Sequence, residues 1–180
     1  GGTIWHERSA RQRDAVKRGL RTTVLIVGEG SAEQKFLNHV RVAFLARNGD
    51  LVLTVKNGHG KGGRAVLQKA IATHRYTPYD RVAVLVDTDV DWGDRERQLA
   101  RERQVIALES TPCFEAVLMT IAGHAAPPDT RRCKQLFEQH FDCRAHDANL
   151  LRREDFSAPQ IRAAGVKVPV VHSLLTLLGQ

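Results

Sequence analysis

The 180-residue chain is basic, with 27 Lys and Arg against 20 Asp and Glu for a formal net charge of +7, and 42% of it is hydrophobic. That length fits one domain with a core of its own, and the excess of cations favours an anionic partner. No apolar stretch approaches a membrane span, no secretion-signal core follows the charged amino-terminal stretch, and three cysteines (Cys113, Cys133 and Cys143) cannot all pair, so a cytoplasmic setting without a membrane partner is expected.

Residues 1–22 hold six cations, among them Lys17, Arg18 and Arg21, against Glu7 and Asp14, a net of +4. A basic arm of this kind suits a phosphate backbone; a solubilising tail is the alternative. Residues 22–27, TTVLIV, form the continuous apolar run of a strand buried on both faces, and Gly28-Glu29-Gly30 follows it. Ser31 reads as a helix cap with Gln34 completing a capping box, Phe36, Leu37, Val40 and Phe44 as the apolar stripe, and Asn48-Gly49 as the stop. Residues 51–55 read as a second strand. The glycine-rich stretch 58–63 then opens a helix carrying Val66, Leu67, Ala70 and Ile71, and Pro78 closes it before a third strand at 81–86.

The pattern to this point is βαβαβ, which implies a parallel sheet with right-handed crossovers. Residues 94–103 predict a charged, exposed helix and 105–108 a short fourth strand. Thr111 and Pro112 read as the cap and first turn of a helix whose stripe is Phe114, Val117, Leu118 and Ile121. After a linker at 123–128 the chain reads as helical: around 130–140, near 148–153, from a Ser157/Gln160 capping box, and from Val170 onward. The expected organisation is a basic arm over 1–22, an α/β core over 23–124 with about four mainly parallel strands, and a helical extension over 125–180 packing on that core.

Two acidic clusters follow strand-like runs: Glu29 after the first, and Asp87-Thr88-Asp89-Val90-Asp91 after the third. Open parallel sheets collect ligands beyond the carboxyl ends of their strands, where strand order reverses. If the two strands are neighbours, the carboxylates converge and repel one another unless a cation sits among them. Hard oxygen donors without organised His or Cys favour Mg2+ or Mn2+. Solvated loop carboxylates are the alternative. Glu115, in the first turn of its helix on the same edge, is either a further ligand or a partner of the helix dipole.

Other constellations are weaker. The 58–63 loop lacks the spacing of a P-loop, but with Lys61 and Arg64 it offers cations and free N–H groups to a phosphate. Cys133, His140, Cys143 and His146 lack the paired spacing of a zinc site, and Cys133 falls on the apolar side of its helix. Ser110 and Cys113 have no base or nucleophile elbow in their motif.

The order of these motifs resembles a Toprim domain, the catalytic module of topoisomerases, primases and several nucleases. More narrowly, the chain resembles the RloB-like family of small bacterial Toprim proteins linked to restriction and phage-defence loci. The resemblance is carried by Lys17-Arg18-Gly19-Leu20-Arg21, by residues 24–30 with Glu33, by Val84-Leu85-Val86-Asp87-Thr88-Asp89, by Ser110-Thr111-Pro112-Cys113-Phe114-Glu115, and by the segment 169–178. The helix after Phe114 departs from that family in having neither its Trp nor its His-Phe ending. The resemblance implies Glu29 as general acid/base, Asp87 and Asp89 as metal ligands, and Asp91 as a third metal contact, with Glu33 and Glu115 as additional members.

The expected function is thus metal-dependent phosphodiester cleavage of DNA or RNA, tRNA included, in bacterial phage defence. Lys17, Arg18, Arg21, Lys61 and Arg64 would hold the backbone. The alternative is a non-catalytic nucleic-acid-binding or regulatory subunit that works with an ATPase partner or as a homo-oligomer.

Overall fold

The four apolar runs pair side by side into one all-parallel sheet, in the order β2-β1-β3-β4. The computed structural model describes residues 21–180; the basic stretch before Arg21, including Lys17 and Arg18, lies outside the described residues. The strands are β1 (Thr22–Gly28), β2 (Leu51–Asn57), β3 (Arg81–Asp87) and β4 (Val105–Ser110). Helix α1 (Ser31–Phe44) joins β1 to β2, α2 (Gly63–Tyr76) joins β2 to β3, and α3 (Asp94–Glu102) joins β3 to β4. The chain then continues through α4 (Phe114–Ile121), α5 (Thr130–Phe141), two single 3-10 turns (Leu150–Arg152 and Glu154–Phe156), α6 (Ala158–Ala164) and α7 (Pro169–Leu177).

Both faces of the sheet are covered, which is why β1 and β3 read as unbroken apolar runs. Val24, Ile26, Ala83, Leu85 and Leu108 point to one face, where they share a core with α1 and α4–α7. Leu25, Val27, Val82, Val84 and Val86 point to the other, beneath α2, Trp92 and Ala100 of α3. The helices after α4 therefore complete the first core. Phe137, Phe156, Ile161 and Leu174 are all buried in it, and Arg81 at the start of β3 donates to the Leu177 carbonyl at 2.8 Å. Among the described residues, no helix is long and apolar enough to cross a membrane.

Chain reversal occurs at β1. The chain leaves it through α1 to reach β2 on one side, then returns through α2 to β3 on the other, so a crevice opens beyond the carboxyl ends of β1 and β3. Register sets its contents. Gly28 pairs with Leu85, placing Glu29 beside the end of β3, and Asp87 pairs with Ser110.

Several boundaries differ from those the sequence suggests. Helix α1 is capped at Gly30, with Glu33 rather than Gln34 as the reciprocal acceptor: the Gly30 N–H donates to Glu33 Oε2 at 3.1 Å. It ends at Phe44, before Asn48-Gly49. Helix α4 starts at Phe114, after a cis Thr111–Pro112 bond, and the Thr111 hydroxyl meets that of Thr88 at 3.2 Å instead of capping the helix. Gln160 likewise donates to the Ile121 carbonyl at 3.0 Å, tying α6 to α4, and does not close a box with Ser157. For Thr111 and Gln160 a tertiary partner outcompetes the local one, whereas at the start of α1 one local acceptor, Glu33, replaces another.

Candidate active site

The crevice is built from glycine outward. At Gly28 a Cβ would come within 2.8 Å of the Glu33 Cβ, so the strand end and the first turn of α1 approach as only glycine permits. A Cβ on Gly58 would meet Val66 at 2.6 Å and the Gly28 carbonyl oxygen at 3.0 Å. The Gly58 N–H donates to that carbonyl and the Gly60 N–H to the Glu29 carbonyl, each at 2.7 Å. The loop after β2 thereby clamps the peptide groups on either side of Glu29.

From that clamped position the Glu29 side chain reaches across to β3. Its Oε2 accepts the Asp87 N–H at 3.0 Å, while its own N–H donates to the Leu85 carbonyl at 3.1 Å. The two acids expected to meet do meet. A pocket of about 240 Å³ gathers Glu29, Glu33, Asp87, Glu115, Lys134 and His146. Beneath it Phe36 and Phe114 pack edge to face, with ring centroids 5.4 Å apart, locking α1 to α4.

The electrostatics follow from this crowding. Burial, then the charges of Glu33, Glu29, Asp89 and Glu115, push the Asp87 carboxyl up to about 9. Burial, with Glu29 and Glu115, raises Glu33 to about 7 against the hydrogen bonds of its helix cap. Glu29 is raised by burial and, less strongly, by Asp89 and Asp91, although the Asp87 N–H and Lys134 oppose the shift. Asp87 Oδ1 is buried without a hydrogen-bond partner, as is the hydroxyl of fully buried Ser110, its neighbour on β4.

The remaining expected residues divide. Asp89 is exposed and does not line the pocket, although its charge acts on Glu29 and Asp87; the Thr130 hydroxyl at the start of α5 donates to its Oδ2 at 2.8 Å. Asp91 turns toward the start of α2: a Cβ on Gly62 would lie 2.8 Å from its Oδ2. Its carboxylate thus takes the helix-terminal place in which Lys61 and the glycine loop were expected to receive a phosphate. Arg64 is engaged with Glu96 at 2.8 Å, and Lys61 is exposed. Cys133 is buried, with its thiol 3.8 Å from the Met119 sulfur, and His140 stacks on His124 with centroids 3.7 Å apart.

Lys134 is the residue that sequence reasoning missed. Partial burial works against its charge, but Glu115, Cys113, Asp87 and Asp89 outweigh it and raise the lysine above its usual range. A signal was present in the α5 sequence, since Thr130 and Lys134 are four residues apart on one helical face, directly after the linker.

Among the described residues, no three His, Cys, Asp or Glu are arranged to grip one ion as they stand. The donor chemistry nevertheless suits a hard divalent cation. The oxygens converge, they repel one another, and the orphaned Asp87 Oδ1 is buried with nothing to bond. Comparison with protein-family models, curated proteins and solved structures finds no match to the chain.

Proposed function

We propose that the chain is a Toprim-like nuclease of the RloB-like kind, cleaving phosphodiester bonds of DNA or RNA with Mg2+ or Mn2+, and acting in the bacterial cytoplasm in phage defence. One observation carries this reading. Glu29 and Asp87 are hydrogen-bonded to each other across the switch point of the sheet, within a pocket of further acids.

Asp87 and Asp89, with Glu29 beside them, would hold the divalent ion, whose chemistry is to polarise the phosphoryl group and stabilise charge on the leaving oxygen. The chain's own groups do the rest. Glu29, fixed by the Asp87 N–H and raised in pKa, takes and returns a proton at Oε1 or Oε2. Lys134, which lines the same pocket, presents an ammonium to the incoming phosphate. The Phe36–Phe114 floor keeps water from beneath the acids.

The test is incubation of the full chain with Mn2+ or Mg2+ and a mixed panel of DNA and RNA, tRNA included, beside the Asp87→Ala variant. Cleavage by the parent, and its loss by at least about 100-fold in the variant, is expected. Full activity in Asp87→Ala would falsify the assignment.

A second reading has an observation of its own. Lys134 already sets an internal cation among the acids, which suits a chain that binds nucleic acid as a regulatory subunit, with an ATPase partner or a second copy, and does not cut. Binding without cleavage under any divalent metal would favour it.

A further inference from the structure

We propose that a single strand of nucleic acid lies along the outward face of α1, from the acidic pocket at its first turn to an arginine cluster at its last. The nature of this ligand rests on the nuclease reading; the location rests on the surface itself.

Three depressions run in sequence along the helix. The first is the acidic pocket, bounded by Ser31, Glu33 and His146. The second, about 900 Å³, lies between α1 and the 3-10 turns and is lined by Lys35, His39, Arg152 and Arg153 together with the acidic residues Asp147 and Glu154. The third, about 560 Å³, is lined by Arg21, Arg41 and Arg47 around Leu45, Leu51 and Val52. They adjoin one another: Lys35 of the second donates to the carbonyl of His146 in the first, and Val42 lines both the second and the third. Fourteen residues of helix span about 21 Å, enough for several nucleotides of one strand.

Charge and shape both suit this ligand. Among the described residues, no carboxylate lies within ion-pair reach of Arg21, Lys35, Arg41, Arg47 or Arg152, and only Arg153 is paired, with Asp155 at 3.2 Å. On the opposite face of the sheet two cations are engaged, Arg64 with Glu96 at 2.8 Å and Arg97 with Glu109 at 2.6 Å. Arg75 and Arg101, among the described residues, have no carboxylate within ion-pair reach and so serve as a charge-matched comparison. Val42, 80% exposed on the outer stripe of α1, and half-exposed Val52 give the arginine cluster an apolar floor. A strand offering phosphates to the arginines and base faces to the floor satisfies both features, whereas a duplex buries its base faces. Arg21 also lines this end, so the basic stretch that precedes it in the sequence joins the chain there.

The experiment measures binding of short, labelled single-stranded RNA and DNA of one sequence to the full chain, in chelator and across a KCl series. The variants are Arg41→Ala/Arg47→Ala, its Arg41→Lys/Arg47→Lys counterpart, and Arg75→Ala/Arg101→Ala on α2 and α3 as the control. The first should bind about tenfold or more weakly, with a log–log salt slope shallower by about 1.4 for two lost contacts. The lysine pair should keep most of the slope and the control all of it. The strand that loses more, RNA or DNA, is the one the surface serves.

Equal losses in the control, or an unchanged slope in the alanine pair at an unchanged melting temperature, would overturn the proposal. So would a doubled mass abolished by Val42→Asp with strand binding intact, because the face would then belong to a second copy. The two readings separate cleanly. Arginine-dependent binding without cleavage leaves the surface standing and removes the nuclease; Asp87-dependent cleavage with arginine-independent binding does the reverse.

Discussion

Asp87 is held where an ionised carboxylate is least welcome, at a strand end under Glu33 and Glu29 with one oxygen unpartnered. Its carboxyl is raised to about 9, so between roughly pH 4 and pH 9 the folded chain keeps a proton that the unfolded chain has released. Its contribution to stability is complete below about pH 4 and disappears as pH rises through 9; Glu33 acts in the same sense up to about 7. In chelator the melting temperature should therefore fall from about pH 5 to about pH 9. Asp87→Asn should flatten that fall and melt above the parent at the alkaline end while losing cleavage. Added Mg2+ should raise the parent's melting temperature more at high pH than at low, and leave the Asn variant nearly unmoved. A parent whose melting temperature climbs with pH would contradict the buried, mutually repelling acids. That Glu29 and Asp87 would meet was legible in the sequence, because each follows or ends an apolar run. The sequence did not locate Lys134 in the pocket or Asp91 against Gly62, since both positions depend on how distant segments dock.

The loop after β2 has as much control over Glu29 as β1 does. Gly58→Ala would press a methyl against Val66 and the Gly28 carbonyl, and should destabilise the fold by about 1–3 kcal/mol in urea titration. Activity should fall by more than that loss of stability explains, because the clamp on the Glu29 backbone is displaced with it. Phe36→Ala should cost about 3–5 kcal/mol, since it removes both a buried ring and its edge-to-face partner in α4. At this scale the strands and the stripes of α1, α2 and α4 were legible, because burial on two faces or one leaves a periodicity. Caps were less so. Gly30 has no side chain to announce itself, and Glu33, the acceptor that serves it, also belongs to the acidic pocket. The 3-10 turns at 150–156 are too short for any period to show.

For the whole molecule, the helices beyond residue 124 are part of the first core. Leu85 and Leu108 of the sheet are buried in one cluster with Phe137, Phe156 and Leu174. A chain ending at residue 124 should not fold cooperatively, and would show as loss of a sigmoidal melt and of solubility. A sharp, parent-like transition in that fragment would instead make 125–180 a true appendage. Helix α1 adds something at this scale. Its first turn touches the acids and its last turn the arginines, so one rigid rod fixes the distance between the pocket proposed to cut a strand and the cluster proposed to grip it. A ruler of that kind measures: with the strand seated as proposed, the scissile bond falls a constant number of nucleotides from the gripped end, whatever the bases in between.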